Sequence, residues 1–121
     1  MKIYFAHSNK LDFKNDYYAP IKESELLKNH ELIFPHETEE WVNSKEIIKN
    51  CDLFVAEISY SGTGLGIELG WADSFGRPII CVYRKGAEMS GSLKLVCDNI
   101  IEYQDDKDLI DELDQILNRK I

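Results

Sequence analysis

Short apolar runs bounded by turn formers recur along the chain, and stretches of helical periodicity separate them. The runs predict strands at Lys2 to Ala6, Glu31 to Phe34 (ended by Pro35), Asp52 to Ile58, Pro78 to Tyr83 and Asn99 to Tyr103. The fourth is almost continuously apolar, as in parallel strands buried on both faces. Between them the pattern predicts helices over Asp12 to Asn29, with Pro20 marking a kink or break, and over Thr38 to Asn50, with Trp41, Ile47, Ile48 and Cys51 on one face. A third helix starts near Gly64, and a short one covers Ser92 to Val96. The last, Asp106 to Lys120, is the most clearly amphipathic. Leu109, Leu113, Ile116 and Leu117 recur at helical spacing, with acids early and Arg119-Lys120 late, as the helix dipole prefers. Strands alternating with helices imply a parallel sheet with right-handed crossovers, an α/β doubly wound architecture.

At 121 residues the chain predicts one domain spanning 1–121, large enough for one core and too small for two. The longest apolar runs are only strand length, and Met1-Lys2 leads straight into a strand. The expectation is therefore a cytoplasmic protein with no membrane partner. A net charge of −8 repels nucleic acid polymers. It does not forbid a small phosphorylated ligand, because local donors decide that contact. Cys51, Cys81 and Cys97 are odd in number and spaced unlike a metal clip, which predicts reduced thiols. No metal and no cofactor are expected.

The densest information lies between Asp52 and Ala72. A buried strand runs into a glycine-rich turn and then a helix that carries Glu68 in its opening turns. Glu68 therefore sits just beyond the carboxyl end of a strand, where open α/β sheets bind ligands. Gly62, Gly64 and Gly66, at alternate positions, remove side chains where a ligand could approach closely. A carboxylate beside an open cleft is a candidate nucleophile, and cleavage of an N-glycosidic bond passes through a cationic sugar that such a group stabilises or bonds.

This segment, with "AE-I-S" at the strand end and "G-x-G-x-E-L-G-x-A" at the helix start, resembles the nucleoside 2-deoxyribosyltransferase family, which includes deoxynucleoside 5'-monophosphate N-glycosidases. The resemblance extends to Lys2 to Ser8, Arg77 to Val82 and Ser90 to Ser92, most of the chain. It implies a flavodoxin-like, three-layer sandwich with five parallel strands in the order 2-1-3-4-5. It also implies that Glu68 attacks the anomeric carbon of the sugar, that a covalent glycosyl-enzyme forms as the base leaves, and that water or a second base completes the reaction.

By the same resemblance Tyr4 hydrogen-bonds the catalytic Glu68, and Ser8 binds the sugar or phosphate. Ser92 contacts phosphate, in some members across a dimer interface, so a homodimer is expected, with a nucleoside or nucleotide as small-molecule partner. The chain departs from the family pattern at two places. Ser44 stands where the family has an Asp implicated in protonating the base, and a serine is no useful acid near neutral pH. His7 stands where a glycine is common. The candidate replacements for the missing acid are His7, His36 and Glu40. Trp41 and Trp71 offer rings for stacking on a base.

Three function classes follow. One is an enzyme acting on the N-glycosidic bond. The second is a nucleotide-binding or sensing domain of the same fold with little catalysis. The third is a dinucleotide-binding protein, against which Gly64, Gly66 and Gly70 fail to make G-x-G-x-x-G.

Overall fold

Parallel pairing of the apolar strands organises the molecule. In the computed structural model, which describes residues 1–120 except Leu26, Glu39, Glu40 and Trp41 and only the backbone of Arg119 and Lys120, the strands are β1 (Lys2–His7), β2 (Glu31–Ile33), β3 (Leu53–Glu57), β4 (Ile79–Arg84) and β5 (Asn99–Tyr103). They form one sheet in the order β2-β1-β3-β4-β5. Ile3 pairs with Leu32 on one side and Leu53 on the other, and the register runs on so that His7 faces Glu57 and Glu57 faces Val82. This is the flavodoxin-like, doubly wound arrangement.

Helices α1 (Ala19–Glu23) and α4 (Asp106–Lys120) pack together on one face, and α2 (Ser44–Lys49) and α3 (Thr63–Ser74) on the other. Strand alternation divides the core accordingly. Ile3, Phe5, Val55, Ile80 and Val82 face α1 and α4. Tyr4, Ala6, Phe54, Ala56 and Ile79 face α2 and α3. On α4 the periodic residues Leu109, Leu113, Ile116 and Leu117 are all buried, each contributing about 1.5–3 kcal/mol. The amide of Asp108 donates to the Asp105 side chain and closes that helix's first turn (2.8 Å). Among the described residues no helix is long and apolar enough to cross a membrane.

Four expectations are refined or corrected. The helical region expected over Asp12 to Asn29 is divided near Pro20, as expected, but is shorter: a π-helical turn at Lys14–Tyr18 runs into the short α1, which ends at Glu23, and Pro20 sits in the first turn of α1. Proline has no amide to donate and its φ suits a first helical turn, so it opens α1 rather than bending a longer helix. The second helix starts at Ser44 rather than Thr38. The side chain of Asn43 accepts the Glu46 amide as an N-cap (3.2 Å), and the acidic residues before it lie outside the helix or outside the described residues. Cys81 and Cys97 are disulfide-bonded, which overturns the reduced reading for that pair, while Cys51 is a buried free thiol. Cys81 pairs with Ile100 in the β4–β5 register, so the chain entering β5 carries Cys97 past Cys81, with Cα atoms 6.2 Å apart. The short helix predicted at Ser92 to Val96 is a 3₁₀ turn at Gly91–Leu95.

Candidate active site

The connections change sides between the parallel strands β1 and β3: β1 hands the chain to the α1 side and β3 hands it to the α3 side. A crevice therefore opens at their carboxyl ends. It is a cleft of about 870 Å³, within the usual range of small-molecule sites. The loop after β1, the π-helical turn, the loop after β2, the start of α2 and the turn leading into α3 all contribute to its lining.

Glu68 occupies the second turn of α3 and is only 8% exposed, yet it lines the cleft. The Tyr4 hydroxyl, projecting from β1 on the same face of the sheet, donates to Glu68 Oε2. Tyr4 is itself fixed by a stacked contact with Phe54 (5.4 Å between ring centres). Ser44, the first residue of α2, hydrogen-bonds both Tyr4 and Glu68. Burial raises the pKa of Glu68 above the ordinary carboxylate range. The Tyr4 hydrogen bond, the charge of His36 and the Ser44 hydrogen bond pull it back down. Burial, together with the neighbouring Glu68 carboxylate, also pushes the Tyr4 phenol well up, so Tyr4 remains a proton donor in its hydrogen bond.

His7 is buried and its ring is fully committed. Nδ1 donates to the Ser8 carbonyl (3.1 Å), which leaves Nε2 to accept from the Tyr18 hydroxyl (2.6 Å), and that hydroxyl accepts the His36 backbone amide (3.1 Å). The ring also stacks on Phe13 at 4.2 Å. Burial lowers the His7 pKa to about 4, which favours the neutral imidazole at pH 7. The unfolded chain takes up this proton below the ordinary value of 6.5, whereas the folded chain resists it down to about 4. Stability is therefore full above pH 6.5 and is lost as pH falls towards 4, by about 2–3 kcal/mol. Melting curves across this interval should fall less steeply for His7→Gln than for the parent. Equal slopes would refute the neutral assignment.

Ser8 lines the cleft, but its hydroxyl donates to the Ser61 carbonyl (3.0 Å) and accepts the Lys10 amide (3.2 Å). It ties the loop after β1 to the turn after β3. Gly62 lies against it: a Cβ there would meet Ser8 Oγ at 3.0 Å, so this glycine serves close approach between the two loops. Gly64 lines the cleft with open space where a Cβ would stand. Gly66 is not among the lining residues, because the helical turn has already carried it round to the outer side.

His36 and Ser44 line the cleft, as does Trp71, whereas Glu40 and Trp41 lie outside the described residues. Ser92 is exposed on the 3₁₀ turn and does not line this cleft; the role expected for it needs a second chain. Asp52 accepts the Lys2 amide (2.7 Å) at the amino end of the sheet, away from the cleft. Phe13, Lys14, Val42, Lys45 and Ile67, which no sequence motif marks, also line the cleft. They come from separate loops and helices with no shared motif, and only the folded topology brings them together.

No family model matches the chain, and no curated protein matches it in sequence. Its structure is similar to that of a CMP N-glycosidase from Clostridium botulinum, with a TM-score of 0.65 and 24% identity over 94% of this chain and 99% of that one. It is also similar to a conserved protein from Enterococcus faecalis (TM-score 0.63, 21% identity, 96% of this chain and 98% of that one). A third likeness is to a 2-deoxyribosyltransferase from Bacillus psychrosaccharolyticus (TM-score 0.62, 21% identity, 91% of this chain and 90% of that one). At these identities the likeness establishes a shared fold along nearly the whole chain.

Proposed function

We propose that this protein cleaves, or transfers across, the N-glycosidic bond of a 2'-deoxynucleoside 5'-monophosphate, with Glu68 as nucleophile. The observation that carries the reading is a nearly buried glutamate, held by Tyr4 and Ser44, whose carboxylate faces a cleft sized for a nucleotide. The fold shared with a CMP N-glycosidase and a 2-deoxyribosyltransferase supports it.

In the first step a Glu68 oxygen bonds to the anomeric carbon, and the carbon–nitrogen bond breaks with its electron pair going to the base. The base takes a proton from His36, whose ring stands on the cleft wall close enough for its charge to act on Glu68. An imidazole carries and releases a proton near neutral pH, which Ser44 does not. In the second step water attacks the same carbon, gives its proton to His36 and frees Glu68. A second base in place of water makes the reaction a transfer.

The phosphate preference follows from charge. Although the chain carries −8, Lys10, Lys14 and Lys45 line the cleft, and Glu68 is the sole acidic residue among its described lining residues. A panel of nucleosides and their 5'-monophosphates, ribo and deoxy, followed by chromatography of released base, tests this. The 2'-deoxy monophosphates should lead, exceeding the matching nucleosides by at least about tenfold in kcat/KM, as one added charge-assisted contact worth about 1.4 kcal/mol gives. Tight nucleotide binding with no base released would favour the sensing domain instead.

A further inference from the structure

A second carboxylate lies at the same end of the sheet, on the opposite face, and the cleft does not use it. Glu57 closes β3, is 1% exposed and is absent from the cleft lining. Its Oε1 accepts the Ser59 amide (2.6 Å), and its Oε2 accepts both the Ser59 hydroxyl (3.0 Å) and the Tyr103 hydroxyl. Arg84, at the end of β4, donates its amide to the Ser59 hydroxyl oxygen (2.8 Å) and its Nε to Tyr103 (3.3 Å). The Arg84 guanidinium also pairs with Asp16 of the π-helical turn (3.1 Å).

Both oxygens of the Glu57 carboxyl are occupied, one by a backbone amide and the other by two hydroxyls. What it holds is the turn between β3 and α3. Glu57 fixes that turn at Ser59, and Ser8 fixes it at Ser61 and at the close approach of Gly62. The Gly62 carbonyl then accepts the first hydrogen bond of α3, from the Gly66 amide (3.0 Å). The starting point of the helix that bears Glu68 is thus clamped from both sides.

We infer that Glu57 is a positioning residue for Glu68: by anchoring Ser59 it sets where α3 begins, and so where the Glu68 carboxylate stands relative to Tyr4 and the sugar. The inference rests on the proposed role of Glu68. Displacement of a reacting group by about 1 Å costs on the order of 100-fold in rate, so the link has leverage although it never touches substrate.

The test compares Glu57→Gln, Ser59→Ala and Tyr103→Phe for kcat, KM, melting temperature and amide hydrogen exchange. Glu57→Gln is expected to lower kcat by about 10- to 100-fold with KM changed by less than about threefold. Tyr103→Phe removes a bond to the same carboxylate but leaves Ser59 anchored, so its kcat should stay within about threefold of the parent. Ser59→Ala removes the hydroxyl arm of the link, to Glu57 and from Arg84, and keeps the amide arm; it keeps the inference testable should Glu57→Gln fail to fold, with an expected kcat loss of about 3- to 10-fold. Parental kcat in Glu57→Gln overturns the inference, as does a loss in Tyr103→Phe equal to that in Glu57→Gln, since that pattern marks a merely structural network. Exchange gives a readout independent of glycosidase activity. Amides from Ser59 to Gly66 should exchange at least about tenfold faster in Glu57→Gln while those of β1 stay unchanged. If the parent releases no base from any nucleotide, the functional reading fails on its own account. Unaltered exchange at Ser59 to Gly66 overturns the positioning inference whatever the activity.

Discussion

Glu68→Gln is expected to bind nucleotide almost as the parent does and to cleave it about 10⁴-fold more slowly. The amide keeps the side-chain shape and can still accept the Tyr4 hydroxyl's hydrogen bond, so the cleft retains its form. What disappears is the anionic oxygen that, in the proposed reaction, bonds to the anomeric carbon, and losses of this size are typical when a covalent nucleophile is removed. The same residue governs pH dependence. Burial holds its folded pKa above the ordinary 4.5, and only the ionised form attacks, so the acid limb of the kcat/KM profile should lie above 4.5. Because the raised pKa means that ionised Glu68 opposes folding at neutral pH, the glutamine variant should also melt higher. A nucleoside bearing fluorine at the 2-position of an arabinosyl sugar slows breakdown of the intermediate. Mass spectrometry of the parent should then find an adduct on the peptide containing Glu68. Full turnover by Glu68→Gln would remove the assignment.

His36→Gln should slow release of an ordinary base by about 100-fold, the usual scale of general acid catalysis, with binding largely intact. Of the three candidate acids, His7 is held neutral by burial and by its two hydrogen bonds. His36 is exposed on the cleft wall, with its backbone amide anchored on Tyr18. A discriminating substrate is a nucleotide with an N7-methylated purine, whose base departs without needing a proton. Parent and His36→Gln should cleave it at similar rates. Equal slowing of both substrates would assign His36 to binding rather than proton transfer, and a matching loss in Glu40→Gln alone would move the acid there.

The strands were legible in the sequence because each is an apolar run too short for a helix, and α4 because four apolar residues keep helical spacing on a charged background. Glu68 and Tyr4 were legible through a local motif and its resemblance. What sequence did not disclose depends on distant partners. The Cys81–Cys97 bond follows from strands β4 and β5 being neighbours, a property of topology rather than of spacing. Lys14 and Lys45 look like ordinary surface charges until the π-helical turn and α2 bring them to one cleft. The π-helical turn was hidden because the residues around Pro20 have the composition of a helix, and only the missing amide of proline divides them. Glu57 read as a strand end, since nothing local marks Tyr103 and Arg84 as its partners.

The two walls of the cleft are built from different parts of the molecule. Tyr4 and Glu68 stand on a strand and a long helix, locked into one face of the core, whereas His36, Phe13, Lys10 and Lys14 come from loops and a single π-helical turn. Substitutions in exposed loop residues usually change stability by less than about 0.5 kcal/mol, while changes in a packed core cost several times more. On the proposed function, descendants of this chain can therefore change the ligand contacts of the loop wall while the Tyr4–Glu68 pair is inherited unaltered.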